Sequence, residues 1–309
     1  MRCACMLPTL LLACCAAPPT RHASAAPQGE IVEAGAYSPA LEGRIDYRIY
    51  LPPGYPGSTQ RYPSLYLLHG RGDSMTAWAH VKSDLDVLIA AGKIPPLIVV
   101  MPDAPWSGRG NWYVDSAYTG TDHPGRPVET ALTRDLVAAI DARYRTVAER
   151  SARAVGGYSM GGAGALRYVI IHPKLFAAAL VLSPAVYHPL PPKDSSTREY
   201  GAFGVGSARF DEDRYRSLSY AAALPRFDPH FPVRVFLAVG DKEHVNRAAE
   251  DASHDLDFET AVVYNKLVRT PGVAADWRVF GGGHDWDVWQ PAFVEGVQKL
   301  FRRTGMPRY

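Results

Sequence analysis

The chain has 309 residues, 47% of them hydrophobic and 21% charged, enough to bury a substantial core in one large domain or two ordinary ones. Its 33 Lys and Arg stand against 31 Asp and Glu, with no basic run or charge-segregated face, so neither nucleic acid nor an anionic membrane surface is expected as a partner. No stretch approaches about 18 uninterrupted apolar residues, so no membrane span is expected.

The N-terminus reads differently from the rest. Arg2 supplies a positive charge, residues 3–17 are nearly all apolar or small, and Ala23-Ser24-Ala25 offers a small-residue cleavage site. Residues 1–25 are therefore expected to be a signal peptide, and residues 26–309 a secreted or periplasmic chain. A competing reading takes Leu11-Leu12-Ala13-Cys14 as a lipoprotein box, with Cys14 carrying a lipid anchor. All four cysteines, Cys3, Cys5, Cys14 and Cys15, lie in this leader, so the remainder has no thiol for a disulfide, a nucleophile or a zinc site. Cleavage would remove Arg2 and Arg21 and no acid, leaving 31 charges of each sign.

From about residue 30, β-rich runs alternate with helical ones, the pattern of parallel strands joined by crossover helices. Arg44 to Leu51 reads as an early half-buried strand. Ser64 to Leu68 and Leu97 to Met101 are nearly all apolar, as central strands covered on both faces are. Ala154 to Tyr158, Ala178 to Leu182, Val233 to Val239 and Trp277 to Phe280 continue the series. Glu129 to Tyr144 and Met160 to His172 have helical apolar spacing, the second stopping against Pro173. The expected fold is a single doubly wound α/β domain with a mostly parallel sheet. Residues 186–232, rich in Pro, Gly, Ser, Tyr and charge and without a clear strand, read as an insertion or cap over the strand ends.

Gly157-Tyr158-Ser159-Met160-Gly161 lies between a β run and a helix. A bare G-x-S-x-G is common by chance, but the strand, tight turn and helix around it are the context of a nucleophile elbow with Ser159 exposed at its tip. A serine hydroxyl needs a base, and the chain order Ser, acid, His points to His284, in Gly281-Gly282-Gly283-His284-Asp285-Trp286 after the last strand. His244 is its rival. The acid should follow Val233 to Val239, where Asp241 and Glu243 both qualify to hold the imidazole tautomer. Oxyanion donors are expected from the backbone of Met160, beside the nucleophile, and of Arg71, in the loop Leu67-Leu68-His69-Gly70-Arg71-Gly72-Asp73. Arg71-Gly72-Asp73 also spells an adhesion tripeptide, but it follows a core strand instead of tipping an exposed hairpin.

Together these residues resemble the esterase family that includes esterase D, feruloyl esterases, enterochelin esterases and the antigen 85 mycolyltransferases, over roughly Glu42 to Leu300. The matching stretches are Leu67 to Gly70, Gly110-Asn111-Trp112-Tyr113-Val114-Asp115, Gly157 to Leu166, Ala202-Phe203-Gly204 and Gly282 to Trp289. The resemblance implies the α/β-hydrolase fold. It places the acid three residues after the glycine that ends its strand, on Glu243, and an oxyanion donor on Arg71. Glutamate at 243 departs from the commoner aspartate, which keeps Asp241 open, and the leader argues against the cytosolic glutathione-thioester branch.

The expected function is an exported serine carboxylic-ester hydrolase acting through an acyl-enzyme, with no cofactor and no metal. Its substrate is expected to be a carbohydrate-linked or aryl ester, because Trp112 and Trp286, with Trp106, Tyr113 and Trp289, flank the catalytic loops and could stack on a sugar or phenolic ring. A siderophore esterase or an acyltransferase of the same fold is the nearest alternative. A catalytically silent binding protein on this scaffold is a third.

Overall fold

The computed structural model describes residues 27–243 and 253–301. The expected leader, Cys14 and His244 lie outside the described residues. Two antiparallel strands, β1 (Glu30–Ser38) and β2 (Gly43–Leu51), begin the fold; β3 (Ser64–Leu68), α1 (Lys82–Ala90) and β4 (Ile98–Pro102) follow. After the two-residue β5 (Ala117–Tyr118), α2 (Val128–Thr130) runs through a π-helical stretch, Ala131–Leu136, into α3 (Val137–Arg143). Then come β6 (Arg153–Tyr158), α4 (Met160–Ile171) and β7 (Ala178–Leu182). A segment containing β8 (Val205–Gly206), α5 (Glu212–Leu218) and α6 (Tyr220–Ala223) leads to β9 (Val233–Gly240), α7 (Leu256–Leu267), β10 (Val273–Phe280) and α8 (Trp286–Phe301).

Eight strands form one sheet in the order β1-β2-β4-β3-β6-β7-β9-β10. β1 and β2 pair antiparallel, β2 meets β4 antiparallel, and every later pairing is parallel. Parallel strands need long crossovers, and the helices that supply them cover both faces, which is why β3, β4 and β7 are buried along their whole length. One core packs Leu68, Val100 and Val155 against Leu136 and Ile140 of the α3 side, Leu166 of α4 and Val263 of α7. The other packs Leu67, Val99 and Leu180 against Leu85 of α1 and Val288 and Phe293 of α8. This is the α/β-hydrolase fold.

The edges depart from the sequence expectation. β1 is not evident in the residue pattern because Glu30 to Ser38 is exposed or half-buried at every residue but Ser38 and carries two glutamates. β10 begins at Val273, four residues before the apolar run from Trp277, because an edge strand pairs through its backbone whatever its side chains. Residues 186–232 hold two short α-helices, two 3₁₀ turns and β8, which pairs with β5. The Asp211 carboxylate caps α5 by accepting from the Arg214 N–H at 2.7 Å, a local bond that stabilises a helix too short for a periodic pattern.

Candidate active site

β6 ends in a turn that its glycines make possible. A Cβ on Gly157 would lie 2.2 Å from the Gly161 carbonyl oxygen, and one on Gly161 would lie 2.2 Å from the Leu68 carbonyl oxygen, so strand, turn and helix approach closer than side chains permit. Between them Ser159 is held at φ 54° and ψ −120°, a conformation that costs of order 1–3 kcal/mol outside glycine. Its backbone is pinned from three sides: its N–H donates to Leu182 at 2.9 Å, and its carbonyl accepts from Ala163 and Ala185, each at 3.0 Å.

His284 stands in the loop between β10 and α8. Its Nε2 lies 2.9 Å from Ser159 Oγ and its Nδ1 2.8 Å from Glu243 Oε2. A carboxylate can only accept, so Nδ1 carries the proton and Nε2 presents its lone pair to the serine hydroxyl. The ring of Trp289 stands edge-on to the imidazole, centroids 5.0 Å apart. Glu243 is 1% exposed. Asp241, its rival, points elsewhere: its Oδ1 accepts from the Gly282 N–H at 2.9 Å, tying the end of β9 to the histidine loop. The strand ends meet closely there, since a Cβ on Gly240 would lie 2.4 Å from the Gly282 carbonyl.

Of the two expected oxyanion donors, Met160 follows the nucleophile directly in the chain, and Arg71 lies in the loop after β3, the strand that pairs with β6. Met160 is the first residue of α4, where a helix leaves its N–H groups unpaired, and among the described residues neither it nor Arg71 spends its N–H on an intramolecular acceptor. Several side chains fix the Arg71 loop. Tyr158 donates from its hydroxyl to Asp73 Oδ2 at 2.6 Å, and burial with that neighbouring carboxylate pushes its phenol well above the ordinary value, so it stays a donor. That bond occupies Asp73 of the adhesion-like tripeptide. Arg109 grips Asp103 with two nitrogens, at 2.6 and 3.1 Å, and donates to the Asp73 carbonyl at 2.9 Å, while its own carbonyl accepts from Gly72. Burial works against the charge on Asp103, but the Arg109 guanidinium holds its carboxyl below the usual range.

His69 is fully buried beneath the loop; Nδ1 faces the Gly70 carbonyl at 2.8 Å and Nε2 the Ala104 N–H at 3.1 Å, which requires a neutral ring. Burial accordingly lowers its pKa from 6.5. A proton taken up only by the unfolded chain favours unfolding, so this contribution is complete above about pH 6.5 and declines as pH falls below it. The urea midpoint should therefore drop between pH 7.5 and 5.5, and drop less in His69→Gln; equal drops in both proteins would remove His69 as the cause.

The proposed substrate-binding tryptophans fall in different settings. Trp112 is 4% exposed, its indole N–H donating to the Ala185 carbonyl at 3.2 Å and its ring against Phe203, so little of its surface is left for a ligand to stack on. That corrects its expected role, because the buried indole is already spent on the Ala185 carbonyl and Phe203. Trp286 is half-buried among Trp78, His80, Tyr158 and Trp289, two residues along the chain from His284. Tyr200, which the sequence did not single out, neighbours the Arg71 side chain; its hydroxyl lies 3.5 Å from Arg71 Nη1.

A family model described as "Putative esterase" matches residues 38–300. An endo-1,4-beta-xylanase/feruloyl esterase of Xylanibacter ruminicola is 33% identical over 182 residues, 55% of this chain and 24% of that protein. An esterase of Mycobacterium tuberculosis is 39% identical over 137 residues, 42% of this chain and 27% of that protein. The matched segments thus span about a quarter of these curated relatives. The solved structure of a ferulic acid esterase superposes with a TM-score of 0.71 at 26% identity, covering 89% of this chain and 99% of that one.

Proposed function

This chain belongs to that esterase family, and from this premise we propose that it is an exported serine carboxylic-ester hydrolase that works through an acyl-enzyme on Ser159. The observation that carries the reading is the unbroken line from Ser159 Oγ through His284 to the buried Glu243, at 2.9 and 2.8 Å.

Ser159 Oγ attacks the ester carbonyl as His284 Nε2 takes its proton, and the oxyanion is met by the Arg71 and Met160 amides. Donors of this kind are each worth roughly 100–1000-fold in rate. The imidazolium returns the proton to the departing alcohol; a water, deprotonated by the same nitrogen, then releases the acid and restores the serine. Glu243 holds the Nδ1–H tautomer throughout and stabilises the cation.

For the substrate, an aryl or carbohydrate-linked ester is favoured by the half-buried Trp286, two residues after His284, by Tyr200 packed under the Arg71 guanidinium, and by the feruloyl esterase names of similar proteins. Residues 1–25 supply the export signal.

The test is hydrolysis of p-nitrophenyl esters from acetyl to octanoyl and of methyl ferulate by the purified protein, with fluorophosphonate labelling in parallel. Turnover with labelling at Ser159 is expected, and cleavage of methyl ferulate at least as efficient as that of octanoyl ester supports the aryl preference. Labelling without hydrolysis, but with ester consumed on adding a sugar acceptor, replaces hydrolase by acyltransferase. Absence of both labelling and turnover removes the enzymatic reading and leaves a binding protein.

A further inference from the structure

A buried carboxylate needs donors in place of the water it gives up. Glu243 has three. Its Oε2 takes His284 Nδ1–H, and its Oε1 accepts from the Gly240 N–H at 2.7 Å and from the Ser183 hydroxyl at 2.5 Å. Ser183 in turn lies 3.0 Å from Trp289 Nε1. An indole nitrogen can only donate and an ionised carboxylate only accept, so the direction of this chain is fixed: Trp289 N–H to Ser183 oxygen, Ser183 O–H to Glu243.

Two further observations mark Ser183 as more than a packing residue. It is fully buried, and it sits just past β7 at φ 42°, a left-handed conformation unfavourable for a side chain by about 1–2 kcal/mol. Its N–H donates to the Ala238 carbonyl at 2.7 Å, so neighbouring β9, which leads to Glu243, holds the strained turn in place. Trp289 is tied to the same machinery on two other sides, edge-on to His284 and stacked at 4.3 Å on Tyr158, the residue before the nucleophile.

We propose that Ser183, oriented by the Trp289 indole N–H, is a positioning residue that locks the longer side chain of a glutamate into the place of the triad acid, fixing which oxygen faces His284. The proposal rests on the hydrolytic reading of this site. Glutamate has one more rotatable bond than aspartate, and the pair of donors on Oε1 removes that freedom. The Ser183 hydroxyl touches no reacting atom; it acts through Glu243.

Two variants lacking the hydroxyl separate positioning from mere stability. Ser183→Ala keeps the strain at φ 42°, whereas Ser183→Gly relieves it, so the glycine variant should unfold at higher urea than the alanine variant. Both should lose kcat by a similar factor, roughly 10–100-fold as expected for a hydrogen bond to a charged group, with KM within about two-fold. Trp289→Phe, which keeps a ring and removes the N–H, should lose less than either. The low-field His284 Nδ1 proton resonance, assigned by its loss in His284→Gln, should move in both Ser183 variants whether or not an ester is turned over. A kcat that follows the stability difference between Ala and Gly, a kcat near that of the unaltered protein, or an unmoved resonance would each overturn the proposal. A shifted resonance in a protein that hydrolyses no ester would instead overturn the hydrolytic reading and leave Ser183 as the lock on Glu243.

Discussion

Replacing Ser159 by alanine should lower hydrolysis of p-nitrophenyl acetate by about 10⁴–10⁶-fold, the range for loss of a nucleophile whose partners act as a unit. The argument is geometric. Ser159 Oγ has a base at 2.9 Å, and no other hydroxyl is paired to His284 among the described residues. The activity that remains should come from the Arg71 and Met160 amides and from substrate binding, which do not depend on Oγ. Stability should barely change, within about 0.5 kcal/mol, because alanine keeps the Cβ and the same backbone at φ 54° and leaves only a half-buried imidazole without its partner. Initial rates and urea unfolding of the two proteins check both halves. An alanine variant that keeps more than a tenth of the activity would place the chemistry at another residue, and one that unfolds early would make the rate uninformative about mechanism.

What could be read from the residues alone followed from how local each signal is. β3 and β7 stand where Ser64 to Leu68 and Ala178 to Leu182 mark them, because strands buried on both faces are written as short unbroken apolar runs. Ser159 and His284 are legible for a similar reason: each lies within a few residues of glycines whose spacing only a tight turn explains. The acid was legible as a pair, and only the fold separates Glu243, which reaches His284, from Asp241, which is spent on the Gly282 amide. Ser183 carried no signal, and Trp289 was read only as one of the aromatics that could stack on a ligand, because the bonds from Ser183 to Glu243 and from Trp289 to Ser183 span 60 and 106 residues of chain. Trp112 misled for the complementary reason: an aromatic beside a catalytic loop looks the same in sequence whether its ring faces solvent or the core.

Glu243→Gln should reduce kcat by about 10⁴-fold with KM little changed, by the loss of both charge and tautomer. The amide can turn its NH₂ toward His284, and an N–H facing Nδ1 forces the ring proton onto Nε2, where it points at Ser159 Oγ and blocks proton transfer. Turning its oxygen there instead puts the NH₂ against the Gly240 N–H and the Ser183 hydroxyl, two donors that need an acceptor. The first orientation holds the wrong tautomer, and the second leaves the Gly240 N–H without an acceptor. Asp241→Asn makes the opposite case, since the asparagine oxygen can still accept from Gly282, and its rate should stay within a few-fold. Glu243→Asp should fall between the two: aspartate keeps the charge, but a chain shorter by one methylene cannot reach His284, Ser183 and Gly240 together from the same backbone. Steady-state kinetics of the three variants, with near-ultraviolet circular dichroism to verify the fold, decide the matter. A silent Glu243→Gln beside an inactive Asp241→Asn would transfer the acid to Asp241 and require the histidine loop to rearrange before catalysis. A full rescue by Glu243→Asp would mean that the three-donor cradle is not what sets the position of the carboxylate, and would count against Ser183 as its lock.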